Sequence, residues 1–111
     1  MVTSTFADSI SVGIPRNRVK AWQNVAATDG SFLAVEDEAI AEAIGLLARL
    51  AGIFAEPSGA AGLAGVLTAL DQGLITSRDK VAVLVTGHGL KDPEAGLLNL
   101  PLPKAISPDC R

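Results

Sequence analysis

The run "EPSGAAGLAGVLTAL", residues 56–70, constrains the fold of this chain more than any other stretch. Pro57 suits the first turn of a helix, where its missing N–H would have no partner in any case. From Gly59 to Leu70 nearly every residue is small or aliphatic, and Gly59, Gly62 and Gly65 recur at every third position. Each glycine inside a helix costs about 1 kcal/mol relative to alanine. Three of them make physical sense if something packs very close to the helix backbone. A helix this apolar on all sides is predicted to lie in a core, and Gly73 is predicted to end it.

The remainder of the chain supplies few neighbours for such a helix. With 111 residues there is room for one small domain. Apolar residues make up 49% but aromatics only 4%, so the core must be Ala, Leu, Ile and Val. The first segment reads as a loop with a short strand around Ser9–Val12. Asn17 suits a helix start, and Val19, Trp22, Val25 and Ala26 then share one helical face. Asp29-Gly30 is a turn signal and residues 31–35, "SFLAV", form a β-prone run. Glu36, Asp37 and Glu38 fit the solvated first turn of a helix, where the helix dipole favours negative charge. Ile40, Ile44, Leu47 and Ala51 are spaced as its buried face, with Gly52 as its stop. Val81–Val85 has no polar alternation, as expected of a strand covered on both faces. Beyond Pro93 the chain reads as an extended tail. Strands and helices in this order predict an α/β layer pattern with short buried strands. One core helix and two short strands do not complete such a fold, so the sequence reads as part of something larger.

Charge and cysteine content narrow the function. The net charge is −3 and the basic residues are scattered, which disfavours a nucleic-acid partner. Cys110 is the only cysteine, so an internal disulfide framework is impossible and a reducing compartment is expected. No apolar run approaches the ~20 residues of a membrane helix, and the N-terminus lacks a signal-peptide pattern. The expectation is a cytoplasmic chain without a membrane partner. A Walker loop, a three-glycine dinucleotide fingerprint and a Gly-x-Ser-x-Gly elbow are all absent.

The densest chemistry lies in "LVTGHGLKDP", residues 84–93. Ligands of α/β sheets bind beyond the carboxyl ends of strands. Thr86 there offers a short hydroxyl, and Gly87 and Gly89 allow a close approach. Read functionally, this is a polar contact to a flat or anionic group. Read structurally, it is a glycine turn with a capping threonine. His88 has no metal-ligand spacing to any second ligand, so a structural role is favoured and no metal site is predicted. Glu56 is either a buried carboxylate or a simple acidic cap, and spacing does not separate the two. Asp8 and Ser9 are either a turn or a ligand contact. Lys20, Lys80, Lys91 and Lys104 all sit among polar or turn residues, so none has the apolar setting of a Schiff-base lysine.

Three segments together, "FADSISVGIPRN" (6–17), "GIFAEPSGAAGLAGV" (52–66) and "VAVLVTGHGLKDP" (81–93), resemble the C-terminal part of the threonine synthase family in order and spacing. That family is similar to the fold-type-II pyridoxal-phosphate enzymes. The resemblance implies a three-layer α/β fragment with short buried parallel strands, residues 1–100 forming the enzyme segment and 101–111 a proline-containing tail. It implies conversion of O-phosphohomoserine and water to threonine and phosphate, with pyridoxal phosphate as electron sink. Thr86 matches the residue whose hydroxyl meets the pyridine nitrogen. A hydroxyl there leaves that nitrogen largely unprotonated. Gly87 would let the ring edge approach, Asp8 and Ser9 match a loop on the substrate side, and Glu56 matches a glutamate near the ring.

The cofactor lysine, the glycine-rich phosphate loop and the residues gripping the substrate phosphate have no counterpart in these 111 residues. The expectation is therefore the C-terminal third of such an enzyme, inactive alone. Its partner would be the missing N-terminal segment, or further copies of itself through exposed apolar surface. Another fold-type-II enzyme, such as a dehydratase, fits less well, because TGHGLKD is not usual there. The competing class is a small non-catalytic α/β module that binds a ligand or partner through the same glycine turn.

Overall fold

In the computed structural model, residues 4–97 and 103–108 are described. Among the described residues there are four α-helices: α1 (Arg18–Ala27), α2 (Asp37–Leu46), α3 (Pro57–Asp71) and α4 (Pro93–Leu97). The centre is a packed pair, α2 against α3. Ile40, Ala43, Ile44 and Leu47 meet Ala60 and Ala64, with Ala7 and Ala55 closing the cluster. Five of these eight residues are alanines, so the two backbones lie close and little apolar area is buried between them.

The helix limits follow local chemistry. Pro57 opens α3 at its first position, and Gly52 and Gly73, at φ +66° and +69°, stop the helical runs before them. The last turn after α2, Leu47–Ala51, loosens into a π-turn. It carries Leu50 outward (81% exposed) and leaves Ala51 exposed, against the expectation that Ala51 would be buried. The acids at the start of α2 are not simply solvated. The Asp37 carboxylate accepts from the Thr5 hydroxyl at 2.5 Å and from the Phe6 N–H at 3.0 Å, tying the N-terminal segment to the helix.

Several expectations are corrected. Ser9–Val12 is not a strand: Asp8–Ile10 forms a 3₁₀ turn, with Ile10 N–H on Ala7 O and Ser11 N–H on Asp8 O. The face shared by Val19 and Trp22 on α1, whose burial the sequence left open, faces solvent. Pro93–Leu97 is a short helix, not a tail, started by the Asp92 carboxylate accepting from Ala95 N–H at 3.2 Å. Of the proposed tail, residues 103–108 have no regular structure, and its remaining residues lie outside the described residues, Cys110 among them. Among the described residues no strand forms, so the short buried parallel strands are absent here. Residues 31–35 and 81–85 run without ladder partners, and Leu84 is 84% exposed. The only β-bridge described, Ala55 to His88, is antiparallel. The reason is non-local: a parallel strand needs a neighbouring strand reached by a crossover, and no described segment pairs with either run.

Thin packing leaves much surface open. The accessible area is 8918 Å², whereas a folded monomer of this mass exposes about 5,700 Å². The radius of gyration is 17.0 Å, against about 13 Å for a compact domain of this length. No described helix is long and apolar enough to cross a membrane.

Two glycines of α3 admit another backbone. A Cβ on Gly59 would stand 2.9 Å from both the N and O of Gly87, and one on Gly62 would stand 3.4 Å from Val83 Cγ1. A Cβ on Gly65 would meet nothing within 4 Å. Alanine substitutions should therefore act with opposite sign. Gly59→Ala is expected to destabilise by about 1–3 kcal/mol, since backbone must move. Gly65→Ala is expected to stabilise by about 1 kcal/mol through helix propensity alone. Urea unfolding of both variants checks the pair, and equal signs would contradict the packing. In the loop after α3, the Thr76 N–H and then its hydroxyl hold the Asp79 carboxyl below its ordinary 3.8. The contribution of that turn is present above the ordinary value and lost as pH falls through the lowered one. An NMR titration of Asp79 should show a midpoint below 3.8, and Thr76→Val should raise it part of the way.

Candidate functional site

The three chemistry-bearing segments meet at Glu56. It sits at the residue before α3 with extended backbone (φ −71°, ψ 161°), and its side chain makes no capping bond to the helix. It is buried, at 6% exposure. Of the two readings open in the sequence, the buried carboxylate is the correct one. Its N–H donates to Gly87 O at 3.0 Å, and Gly89 N–H donates to Phe54 O at 2.8 Å. These two bonds form the antiparallel bridge that clips the glycine turn to the start of α3.

The Glu56 side chain then lies across Gly87. A Cβ on Gly87 would collide with the Glu56 carboxylate, so Glu56 calls for glycine at that position. Gly89 is required for a parallel reason, because the Phe54 ring occupies the space of its Cβ. The Lys91 ammonium reaches both carboxylate oxygens of Glu56, at 3.1 Å to Oε1 and 3.0 Å to Oε2. Ser9 Oγ donates to Oε2 at 3.4 Å. A buried carboxylate is stable only when paired and hydrogen-bonded, and these two groups supply that.

Two cavities flank this contact and share no lining residue. The first, about 150 Å³, is lined by Asp8, Ser9, Glu56, Ser58, Lys91 and Asp92. It gathers three of the residues singled out in the sequence: Asp8, Ser9 and Glu56. The second, about 320 Å³, is an open cleft lined by Ile53, Phe54, Val85, Thr86, Gly87 and His88. Thr86 is exposed, and among the described residues nothing bonds to its hydroxyl. His88 is structural: its Nδ1 accepts from Leu90 N–H at 3.1 Å and its ring meets Phe54 edge-on, 5.9 Å between centroids. Among the described residues no group of His, Cys, Asp or Glu is placed to hold a metal ion.

Sequence reasoning missed the pairing of Lys91 with Glu56. A buried acid calls for a cation, but nine Lys and Arg residues offered themselves and none was marked by position. It also missed the demand that Glu56 makes on Gly87, because the two lie 31 residues apart.

The cleft has an aromatic wall, a glycine floor and, among the described residues, one unengaged hydroxyl. Residues 1–87 match the family model described as pyridoxal-phosphate dependent enzyme. The threonine synthase of Mycobacterium bovis is 40% identical over 104 residues, covering 94% of this chain and 28% of that protein. The threonine synthase of Methanocaldococcus jannaschii is 43% identical over 93 residues, 84% of this chain and 23% of that protein. That of Synechocystis is 40% identical over 95 residues, 86% of this chain and 24% of that protein. The chain thus spans about a quarter of the length of these relatives. With most of its length matched by the family model, the chain belongs to the pyridoxal-phosphate-dependent enzymes, a family of α/β class.

Proposed function

We propose that this chain is the C-terminal segment of a threonine synthase, which converts O-phosphohomoserine and water to threonine and phosphate. The observation that carries this reading is the convergence on Glu56. The three runs that resemble the family meet there through Ser9, Gly87 and Lys91. Similarity to three threonine synthases at 40% identity or more supports the choice within the family.

When bound, pyridoxal phosphate supplies an electron sink for the carbanions of amino-acid chemistry. The chain's own residues contribute position and polarity. Thr86 is the residue that would hold the nitrogen edge of the ring, through its unengaged hydroxyl. Gly87 sets the backbone beside that edge, and Asp8 and Ser9 face the substrate side from the smaller cavity. Residues 1–100 constitute the enzyme segment and 101–111 a tail. In the complete protein, residues 31–35 and 81–85 become the short parallel strands of a three-layer sheet, paired with strands from the remainder. The same remainder covers the open apolar surface, supplies the cofactor lysine and phosphate loop, and confers activity that the 111 residues lack alone.

The test is a chimera in which this chain replaces the matched portion of the Mycobacterium tuberculosis threonine synthase. The expected outcome is threonine and phosphate from O-phosphohomoserine. Thr86→Ala in the chimera should slow turnover about tenfold, the worth of one hydrogen bond. The chimera should also be monodisperse, whereas the isolated chain self-associates. A folded chimera that binds the cofactor but forms no threonine would turn the assignment toward the non-catalytic binding module.

A further inference from the structure

We infer that Lys91 is a positioning residue: its ammonium holds the buried Glu56 carboxylate across Gly87 and so fixes the turn that presents Thr86. The ion pair is unequal in exposure, with 7% of the Glu56 side chain accessible and 61% of the Lys91 side chain. An exposed lysine gives up rotamer freedom to hold this geometry. It does so because the carboxylate is desolvated and has no other cation among the described residues.

The consequence passes through Glu56 to its neighbour. Two contacts bear on Gly87: the Glu56 side chain and the first turn of α3 at Gly59. One further bond, Glu56 N–H to Gly87 O, ties the same two residues. Lys91 lines only the smaller cavity, and Thr86 only the open cleft. Lys91 therefore acts on Thr86 without touching the cleft, by keeping Glu56 pressed onto the residue next to it. A carboxylate that loses Lys91 must turn toward water, and turning lifts it from Gly87. The part Lys91 plays in the reaction rests on the function proposed above, whereas its hold on Glu56 is a property of this chain alone.

Amide hydrogen exchange on the full chain reads that hold directly. In Lys91→Met, the amides of Glu56 and Gly89 are expected to exchange about tenfold faster, reporting local opening of the bridge. Those of Ile44 and Ala64 in the helix pair are expected to keep their rates. Lys91→Arg keeps the charge and should restore protection. Adding Glu56→Gln to Lys91→Met should restore it too, because a neutral amide needs no counter-ion. Simple loss of packing by the lysine stem would not be rescued by changing Glu56. Unchanged exchange in Lys91→Met, or acceleration that neither rescue reverses, overturns the inference. Should Lys91→Met fail to fold, folding of both Lys91→Arg and the double variant supports it, and failure of either overturns it. The chimera keeps the two questions apart. No threonine from the parent chimera refutes the proposed function and leaves the exchange result to decide the hold on Glu56. In an active chimera, Lys91→Met should slow turnover with rescue by Lys91→Arg, and unaltered turnover would remove Lys91 from the reaction.

Discussion

A carboxylate taken out of water makes demands on everything around it, and Glu56 makes them at the junction of three segments. It stands just before the first turn of α3, where the helix dipole favours a negative charge, yet it caps nothing. Its oxygens are spent on Lys91 and Ser9. From this one placement the local architecture follows. Residue 87 has no room for a Cβ, the 3₁₀ turn at Asp8–Ile10 must bring Ser9 inward, and the chain after His88 must fold back far enough to deliver Lys91. Gly89 and the Phe54 ring lock the far side of the same bridge.

The helix pair behind the site obeys a different constraint. Alanine and glycine let α2, α3 and the segment after residue 82 approach closely, but small side chains bury little apolar area. The hydrophobic effect scales with that area, so close packing here comes at the expense of a deep core. The large apolar residues sit elsewhere: Val19 and Trp22 on α1, Leu50 on the π-turn, and Val81 and Leu84 on the unpaired segment all face outward. The chain spans about a quarter of each relative, and among the described residues these side chains stay exposed.

What was legible in the sequence was local. Pro57, Gly52 and Gly73 act through φ alone, so α3 and both helix stops could be placed from their own residues. The buried face of α2 held at Ile40, Ile44 and Leu47 because a period of 3.6 needs no distant information, and it failed at Ala51, where the π-turn breaks the period. Residues 31–35 and 81–85 carry a strand pattern, but pairing is not local and no described segment pairs with them. The glycine repeat of α3 was read as close packing, which holds at Gly59 and Gly62 and not at Gly65. At the site, Asp8, Ser9 and Glu56, all singled out in the sequence, share a cavity. The state of Glu56 stayed open because its deciding partner, Lys91, lies 35 residues away.

The arrangement also decides what polarity the open cleft presents. Glu56 lies on Gly87, the residue next to Thr86, and an acid facing a ring nitrogen would draw a proton onto it. Glu56 does not line that cleft: its carboxylate faces Lys91 and Ser9 in the smaller cavity, and Gly87 stands between. The cleft is left with an aliphatic and aromatic wall, one histidine whose Nδ1 is engaged by backbone, and the neutral hydroxyl of Thr86. A ring nitrogen placed there meets a hydrogen-bond donor that cannot give up its proton at ordinary pH. Under the proposed function, the Lys91–Glu56 ion pair keeps that carboxylate in the smaller cavity and away from the ring.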